Sequence, residues 1–180
     1  YVSVELIAAC VKQRSIKSEE EIAEIENAIS TAYNMHTTMM HMASKEGTYE
    51  YTIAGTMEGL ALCGGGPVSF PIILTTHGEI LHGHDHSLQI KKGRMIVSDA
   101  GSENPNGYCS DITRSVPVGG KFNQRQKDIY NAVLSAQLLV PSLVKPNVKY
   151  SEVHLAAVER LGSALKELGL MKGNIKDAVK

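Results

Sequence analysis

Apolar residues between Ser18 and Gly47 recur every three or four positions, which is the spacing of one face of a helix. Ser18 and Glu21 have the spacing of a capping box, so the helix is expected to begin directly after Ser18. Gly47 marks its expected end. The predicted buried stripe of this helix consists of Ile22, Ile25, Ile29, Ala32 and Tyr33.

The segments that follow predict a mixture of helices and strands. Thr48 is a candidate cap for a second helix, which the glycine-rich segment 64–67 would end. Residues 69–75 indicate a strand, and two more capped helices are expected over 123–140 and 151–169. Helices before and after an antiparallel set of strands indicate an α+β fold.

Two aspartates lie inside the next pair of strand-like segments, residues 95–101 and 108–118. The sequence Asn104-Pro105-Asn106, followed by a glycine, predicts a hairpin turn between these segments. With 104–106 as the loop, Asp99 lies directly opposite Asp111, and their Cβ atoms are about 4.5–5.5 Å apart.

Two carboxylates at that separation repel each other, and an ionised carboxylate in an apolar strand needs a partner. A cation between Asp99 and Asp111 would supply that partner. The two ions of a two-metal site lie about 3.5–4 Å apart, a distance that such a pair of carboxylates can bridge. The hairpin is therefore predicted to hold metal.

Four short segments of the chain carry a pattern shared with one group of enzymes. They are Ile80-Leu81-His82-Gly83-His84, Val97-Ser98-Asp99-Ala100-Gly101, Ser110-Asp111-Ile112-Thr113-Arg114 and Gly120-Lys121-Phe122-Asn123-Gln124-Arg125-Gln126-Lys127-Asp128-Ile129-Tyr130. With these segments the chain resembles the pita-bread metallopeptidases, which include Xaa-Pro aminopeptidases, Xaa-Pro dipeptidases (prolidases) and methionine aminopeptidases. The last segment is typical of the proline-specific members. Residues 14–22 resemble the segment that opens their catalytic domain.

The resemblance implies a fold, a cofactor and roles for three residues. The fold would be the N-terminal part of a pita-bread fold, an antiparallel sheet covered by helices. Asp99 would bind one of two divalent metal ions and Asp111 would bridge both, with Mn²⁺ preferred and Co²⁺ or Zn²⁺ also fitting the ligands. His82 would be catalytic, contacting the substrate without binding metal. The expected reaction is hydrolysis of the Xaa-Pro bond of a peptide with proline at its second position, of the aminopeptidase P or prolidase type.

The chain departs from the family pattern in one respect. The family's metal centre also uses a histidine and two glutamates that come later in its sequences, and no Pro-His-Gly-x-x-His segment occurs before Lys180. We therefore expect residues 18–180 to be an incomplete catalytic domain that is inactive alone. Residues 1–17 are expected to be a connector from a missing N-terminal domain.

Two other functions compete with the peptidase hypothesis. The first is a pita-bread domain that binds peptide or protein without hydrolysis, which would not need to keep Asp99, Asp111 and His82. The second is a β protein that ligates zinc or copper through His82, His84 and His86, since these three would share one face of a strand.

Composition excludes some classes of partner. Hydrophobic residues make up 43% of the 180 positions, as in an ordinary globular protein, and a net charge of −1 indicates neither nucleic acid nor an anionic membrane. Three cysteines without CxxC spacing favour reduced thiols and a cytoplasmic location. The resemblance allows a homodimer, which nothing in the sequence requires.

Overall fold

The chain folds as two units that divide between Lys121 and Phe122. A computed structural model describes residues 2–179. The first unit contains α1 (Val4–Ser15), α2 (Glu19–Ala43), α3 (Glu50–Cys63), β1 (Ile73–Thr75), β2 (Met95–Ala100) and β3 (Ile112–Pro117). The second contains α4 (Gln124–Leu143), α5 (Tyr150–Glu167) and α6 (Ile175–Ala178). No helix among residues 2–179 is long and apolar enough to cross a membrane.

Helix α2 begins as its capping box predicts. The Ser18 hydroxyl accepts from Glu21 N at 3.3 Å, and the Glu21 carboxylate accepts from Ser18 N at 2.8 Å. The helix ends at Ala43, a few residues before the predicted Gly47. The glycine instead has a φ of +94° in the turn that follows, a conformation that favours glycine.

The predicted buried stripe of α2 is wrong for three of its five residues, while Ala32 is buried and Ile25 is half-buried. Ile22, Ile29 and Tyr33 are exposed. Small and flexible residues form the buried face of α2. The alanines allow the hairpin formed by β2 and β3 to approach the helix backbone closely, so that the Ser102 hydroxyl donates to Ala28 O at 2.9 Å. The buried face consists of Ala28, Ala32, Met35, His36, Met39 and Ala43.

Helix α3 begins later than its sequence predicts. Its N-cap is Tyr49, which makes no side-chain cap hydrogen bond, and Thr48 is not a cap. Tertiary contacts take over that role: Thr48 O accepts from Ile90 N at 2.8 Å, while Glu50 N and Tyr51 N donate to carbonyls of the segment before β2. Ile53, Met57 and Ala61 of this helix are buried, and Gly64 is the C-cap, in agreement with the predicted end of the helix.

The three strands form an antiparallel sheet in the order β1-β2-β3. In β2 the buried residues alternate with half-buried ones, so Ile96, Ser98 and Ala100 face the core formed with α2 and α3. The predicted strand over 69–75 is shorter in the structure, since β1 spans only Ile73–Thr75. Pro71 has no N–H to donate to a ladder, which limits the strand at this side.

The second unit is a pair of helices, α4 and α5, with α6 packed on α5. Asn123 caps α4 in a capping box with Gln126, as predicted. Pro141 lies inside the last turn of α4, and α5 begins at Tyr150 with Lys149 as its N-cap, so Ser151 is not the cap. Helix α1 lies within the predicted connector and has no buried residue.

His36 is the buried histidine of α2. It is 3% exposed, its Nε2 lies 3.1 Å from Ala100 O, and its Nδ1 has no hydrogen-bond partner among residues 2–179. Burial lowers the pKa of the imidazole below its usual value, since the charged ring would lose its hydration. The neutral ring is therefore the form that the folded protein favours.

We expect the free energy of unfolding to fall between pH 7.5 and 5, because the unfolded chain takes up a proton at His36 near its usual pKa of about 6.5, whereas the folded chain takes it up only at lower pH. The substitution His36→Gln keeps a donor for Ala100 O and removes this proton uptake, so its stability should change less over that range. Urea unfolding at each pH measures the difference. His41→Gln, at an exposed site of the same helix, should follow the wild type; equal pH slopes for all three proteins would contradict the prediction.

Candidate metal centre

The register of β2 and β3 differs from the predicted one. Asp99 lies opposite Thr113 and Ala100 opposite Ile112, and the ladder continues to a bridge between Glu103 and Cys109. The prediction that Asp99 lies directly opposite Asp111 is therefore wrong by two residues. An even shift leaves side chains on the same face of the sheet, so both carboxylates still point to one side.

Asn104 explains why the hairpin loop is longer than three residues. This side chain is buried, and its Oδ1 accepts from Asn106 N and from Tyr108 N, both at 3.0 Å. The backbone N–H of Asn104 donates to Tyr108 O at 2.9 Å, and Gly107 has a φ of +82°. An asparagine that bonds its own loop in this way stabilises a five-residue connection between Glu103 and Cys109.

The loop is also fastened to the start of α2. Asn106 Nδ2 donates to Glu24 Oε1 at 2.9 Å, and Asn104 Nδ2 donates to the backbone and side chain of the same glutamate. Tyr108 OH donates to Glu21 Oε1 at 3.2 Å. The capping region of α2 therefore holds the hairpin end that carries the two aspartates.

The two arms of the hairpin approach each other closely at Gly101 and Ser110, between the two aspartates. A Cβ built on Gly101 would lie 1.7 Å from Ser110 O, so only glycine fits. The Ser110 hydroxyl lies between the strands and α2: it accepts from Ser102 N at 3.0 Å and donates to Ala28 O at 3.1 Å. This packing fixes the position of Asp111 relative to the end of β2.

The three site residues predicted from sequence line one cavity of about 330 Å³. Asp99 lies on β2, Asp111 directly precedes β3, and His82 lies in the segment between β1 and β2. Sequence reasoning did not find the apolar walls, which have no chemical signature of their own. These are Phe70, Pro71 and Ile73; the other wall is His84, which the sequence had singled out as a member of the alternative histidine cluster.

The two carboxylates influence each other in this cavity. Asp99 Oδ1 is buried and has no hydrogen-bond partner within residues 2–179. Burial, and then the neighbouring charge of Asp99, raise the pKa of Asp111 above its usual value. An unpartnered carboxylate oxygen beside a second carboxylate is a donor set that suits a hard divalent cation.

The donor set is nevertheless only part of a metal centre. In the described part of the chain, no group of three histidine, cysteine, aspartate or glutamate residues is arranged to hold an ion. Two carboxylates fit the first ligands of such a centre, and further ligands have to complete it.

The histidine-cluster alternative does not agree with the structure. Residues 82–86 form no strand, so their side chains do not share a strand face. His86 Nδ1 lies 2.9 Å from Leu74 O and His84 Nδ1 lies 3.5 Å from Ile72 O, so both imidazoles are directed at the edge of β1. His82 has a φ of +55°, a left-handed conformation that is rare outside glycine.

The chain belongs to metallopeptidase family M24: the family's sequence pattern matches residues 23–176, a range that includes the residues of this cavity. Among its relatives, Xaa-Pro aminopeptidase 1 of Streptomyces coelicolor is 32% identical over 166 residues, covering 91% of this chain and 34% of the relative. The Xaa-Pro aminopeptidase of Escherichia coli is 32% identical over 171 residues, covering 93% of this chain and 38% of the relative.

Solved structures agree with the sequence relatives. Zn-substituted aminopeptidase P of Escherichia coli, in complex with product, matches with a TM-score of 0.87 and 32% identity over 93% of this chain. Aminopeptidase PepP of Pseudomonas aeruginosa matches with a TM-score of 0.87 and 30% identity. The predicted fold class, the N-terminal part of a pita-bread fold, is thereby confirmed. The chain covers 38% of each of these two structures, so it spans little more than a third of their length.

The close approach at Gly101 can be tested by adding one methyl group. Gly101→Ala should lower the free energy of unfolding by about 1–3 kcal/mol, because the strands must separate to admit the Cβ. Gly59→Ala is the matched control, since a Cβ there meets nothing within 4 Å in helix α3. It should raise stability by about 0.5–1 kcal/mol. Equal effects of the two substitutions in urea unfolding would contradict the assigned register.

The cation site can be tested by stability with and without Mn²⁺. At ten times its dissociation constant, Mn²⁺ should raise the free energy of unfolding by about 1.4 kcal/mol, because it binds only the folded chain. Asp99→Asn should remove this increase. In EDTA the variant should be as stable as the wild type or up to about 1 kcal/mol more stable, since repulsion with the solvent-screened Asp111 is relieved.

Glu26→Gln provides the control for this experiment, because it removes one negative charge from an exposed site on α2. It should leave the Mn²⁺ effect intact. An Mn²⁺ effect that survives in Asp99→Asn would place the cation elsewhere.

Proposed function

We propose that this chain forms the first part of the catalytic domain of a metal-dependent Xaa-Pro peptidase, of the aminopeptidase P or prolidase type. One observation carries the proposal: Asp99, Asp111 and His82 converge on a single cavity in a family M24 fold. One oxygen of Asp99 is buried there and has no hydrogen-bond partner among the described residues. The names of the relatives, Xaa-Pro aminopeptidases, support the choice of substrate class.

Asp99 and Asp111 would hold the divalent ions in this proposal. Their oxygens suit Mn²⁺, while the family resemblance also allows Co²⁺ or Zn²⁺. Two such ions, when bound, supply the Lewis acidity that peptide-bond hydrolysis needs. The sheet contributes by presenting both carboxylates on the same face, so that neither has to move to reach the cavity.

His82 would act on the substrate rather than on the metal. Its segment brings the imidazole to the cavity that the carboxylates line, where a ring N–H can donate to an oxygen that gains negative charge during hydrolysis. Phe70, Pro71 and Ile73 give the same cavity apolar walls. Such walls are compatible with a peptide that carries a proline ring next to the bond to be broken.

The 180-residue chain alone should not hydrolyse peptides, because two carboxylates cannot hold two ions in position. We propose that residues 18–180 are an incomplete catalytic domain, that residues 1–17 are a connector, and that the missing histidine and glutamates lie outside the matched third of the family's length. All three cysteines are unpaired, which fits a reducing compartment such as the cytoplasm.

A chimera tests the proposal directly. In the Escherichia coli relative, the 171 matched residues are replaced by those of this chain. With Mn²⁺ the chimera should hydrolyse an Xaa-Pro tripeptide, and Asp99→Asn or Asp111→Asn should each lower kcat/KM by at least about 100-fold, because the loss of even a supporting residue weakens metal binding 10–100-fold. Release of the N-terminal residue, followed by chromatography, measures the rate.

Circular dichroism establishes that each chimera is folded, and the chimera with Glu26→Gln should keep full activity. The 180-residue chain is assayed in parallel and should show no turnover. A folded chimera that binds the tripeptide without Mn²⁺ and never cleaves it would favour the non-hydrolytic binding domain instead. Activity that survives without either aspartate would also overturn the proposal.

A further inference from the structure

The segment between β1 and β2 that carries His82 has little regular structure. Within residues 2–179, His82 makes no hydrogen bond of its own, yet its φ of +55° is a conformation that costs free energy for a residue with a Cβ. The surrounding structure must therefore hold the backbone of this segment in place. The contacts at its two ends decide where the imidazole lies.

One residue binds both ends of the segment. Glu50 Oε1 accepts from Thr76 N at 2.7 Å and from Thr76 Oγ1 at 2.9 Å, directly after β1. The backbone N–H of Glu50 donates to Leu88 O at 2.9 Å, in the returning part of the segment that leads to β2. The first residue of α3 thus joins Thr76 to Leu88, and His82 lies midway between them.

Neighbouring hydrogen bonds also hold the two ends of segment 76–88 together. Tyr51 N donates to His86 O at 2.9 Å, and the His86 imidazole donates from Nδ1 to Leu74 O at 2.9 Å. The first turn of α3 uses its free N–H groups to hold the returning half of the segment. The outgoing half begins at Thr76, which the Glu50 carboxylate holds, and continues with a bond from His77 N to Thr75 Oγ1 at 2.9 Å.

The burial of Glu50 is unfavourable by itself. The residue is 0% exposed, and its Oε2 has no partner within residues 2–179. Burying a carboxylate costs free energy that two hydrogen bonds to one oxygen offset only in part. A charged acceptor does make stronger hydrogen bonds than a neutral one, which favours a rigid attachment of Thr76.

We propose that Glu50 is a positioning residue that sets the location of His82 by closing the segment 76–88. The part that concerns catalysis rests on the proposed function, because His82 then acts on the substrate. The closure itself is a property of this chain and does not depend on metal or substrate.

Hydrogen–deuterium exchange on the 180-residue chain tests the closure. Peptides that cover residues 77–86 should take up deuterium at least about tenfold faster in Glu50→Ala, and less so in Glu50→Gln, which keeps an acceptor oxygen. Glu26→Gln should leave this exchange unchanged. Thr76→Val removes one of the two bonds and should give an intermediate result even if Glu50→Ala does not fold. Unchanged exchange in both Glu50→Gln and Thr76→Val would overturn the proposal.

A double-mutant cycle in the chimera tests the link to His82. Glu50→Gln should lower kcat about 10–100-fold with little change in KM, because small displacements of a catalytic group cost that much. In the His82→Ala background the same substitution should have no further effect, since it acts through His82. Losses that multiply would overturn the link. A folded but inactive parent chimera would refute the proposed function, while the exchange experiment would still decide whether Glu50 closes the segment.

Discussion

The candidate centre depends on the contact between the β2–β3 hairpin and the backbone of α2. Ala28 O accepts from both Ser102 and Ser110, one serine on each arm of the hairpin. A helix carbonyl normally bonds within its helix, so these two extra donors require the strands to sit against a face made of small residues. This requirement explains the alanines at 28 and 32. Within the hairpin itself, Gly101 lacks a Cβ because Ser110 O on the other arm occupies that space. With the arms held in this way, Asp99 and Asp111 have to face the same cavity.

Two carboxylates held together by packing are an unfavourable arrangement that a cation relieves. The hairpin does not relax by turning one aspartate away, because an odd shift in register would also bury polar residues and expose Ile96 and Ala100. The fold therefore fixes the geometry first, at the expense of electrostatic free energy, which the proposed metal binding would recover. Cation affinity and hairpin stability are coupled for this reason.

Local patterns predicted the elements of this fold better than their contacts. The capping boxes at Ser18 and Asn123 involve residues only three positions apart, so sequence was sufficient to place the starts of α2 and α4. Thr48 and Ser151 have the same residue types, but neither caps its helix; at α3, the tertiary contacts to Leu88 and His86 occupy the free N–H groups instead. The buried side of α2 followed the hairpin rather than the large apolar residues, which no pattern within the helix could indicate.

The same contrast between local sequence patterns and tertiary contacts applies to the candidate site. Asp99, Asp111 and His82 were identifiable because the chemistry and the family pattern depend on those residue types, and the structure brings them to one cavity. The register of the two strands that carry the aspartates was not identifiable from sequence. It depends on the hydrogen bonds of Asn104 within its own loop and on the bond from that loop to Glu24 of α2. Glu50 was missed altogether: an isolated glutamate at the start of a helix has the appearance of an ordinary exposed residue, and only the fold shows that it is buried against Thr76. The two proposed metal ligands and His82 thus reach the cavity through separate supports. The aspartates depend on α2 and His82 depends on α3, so a substitution that disturbs one support need not disturb the other.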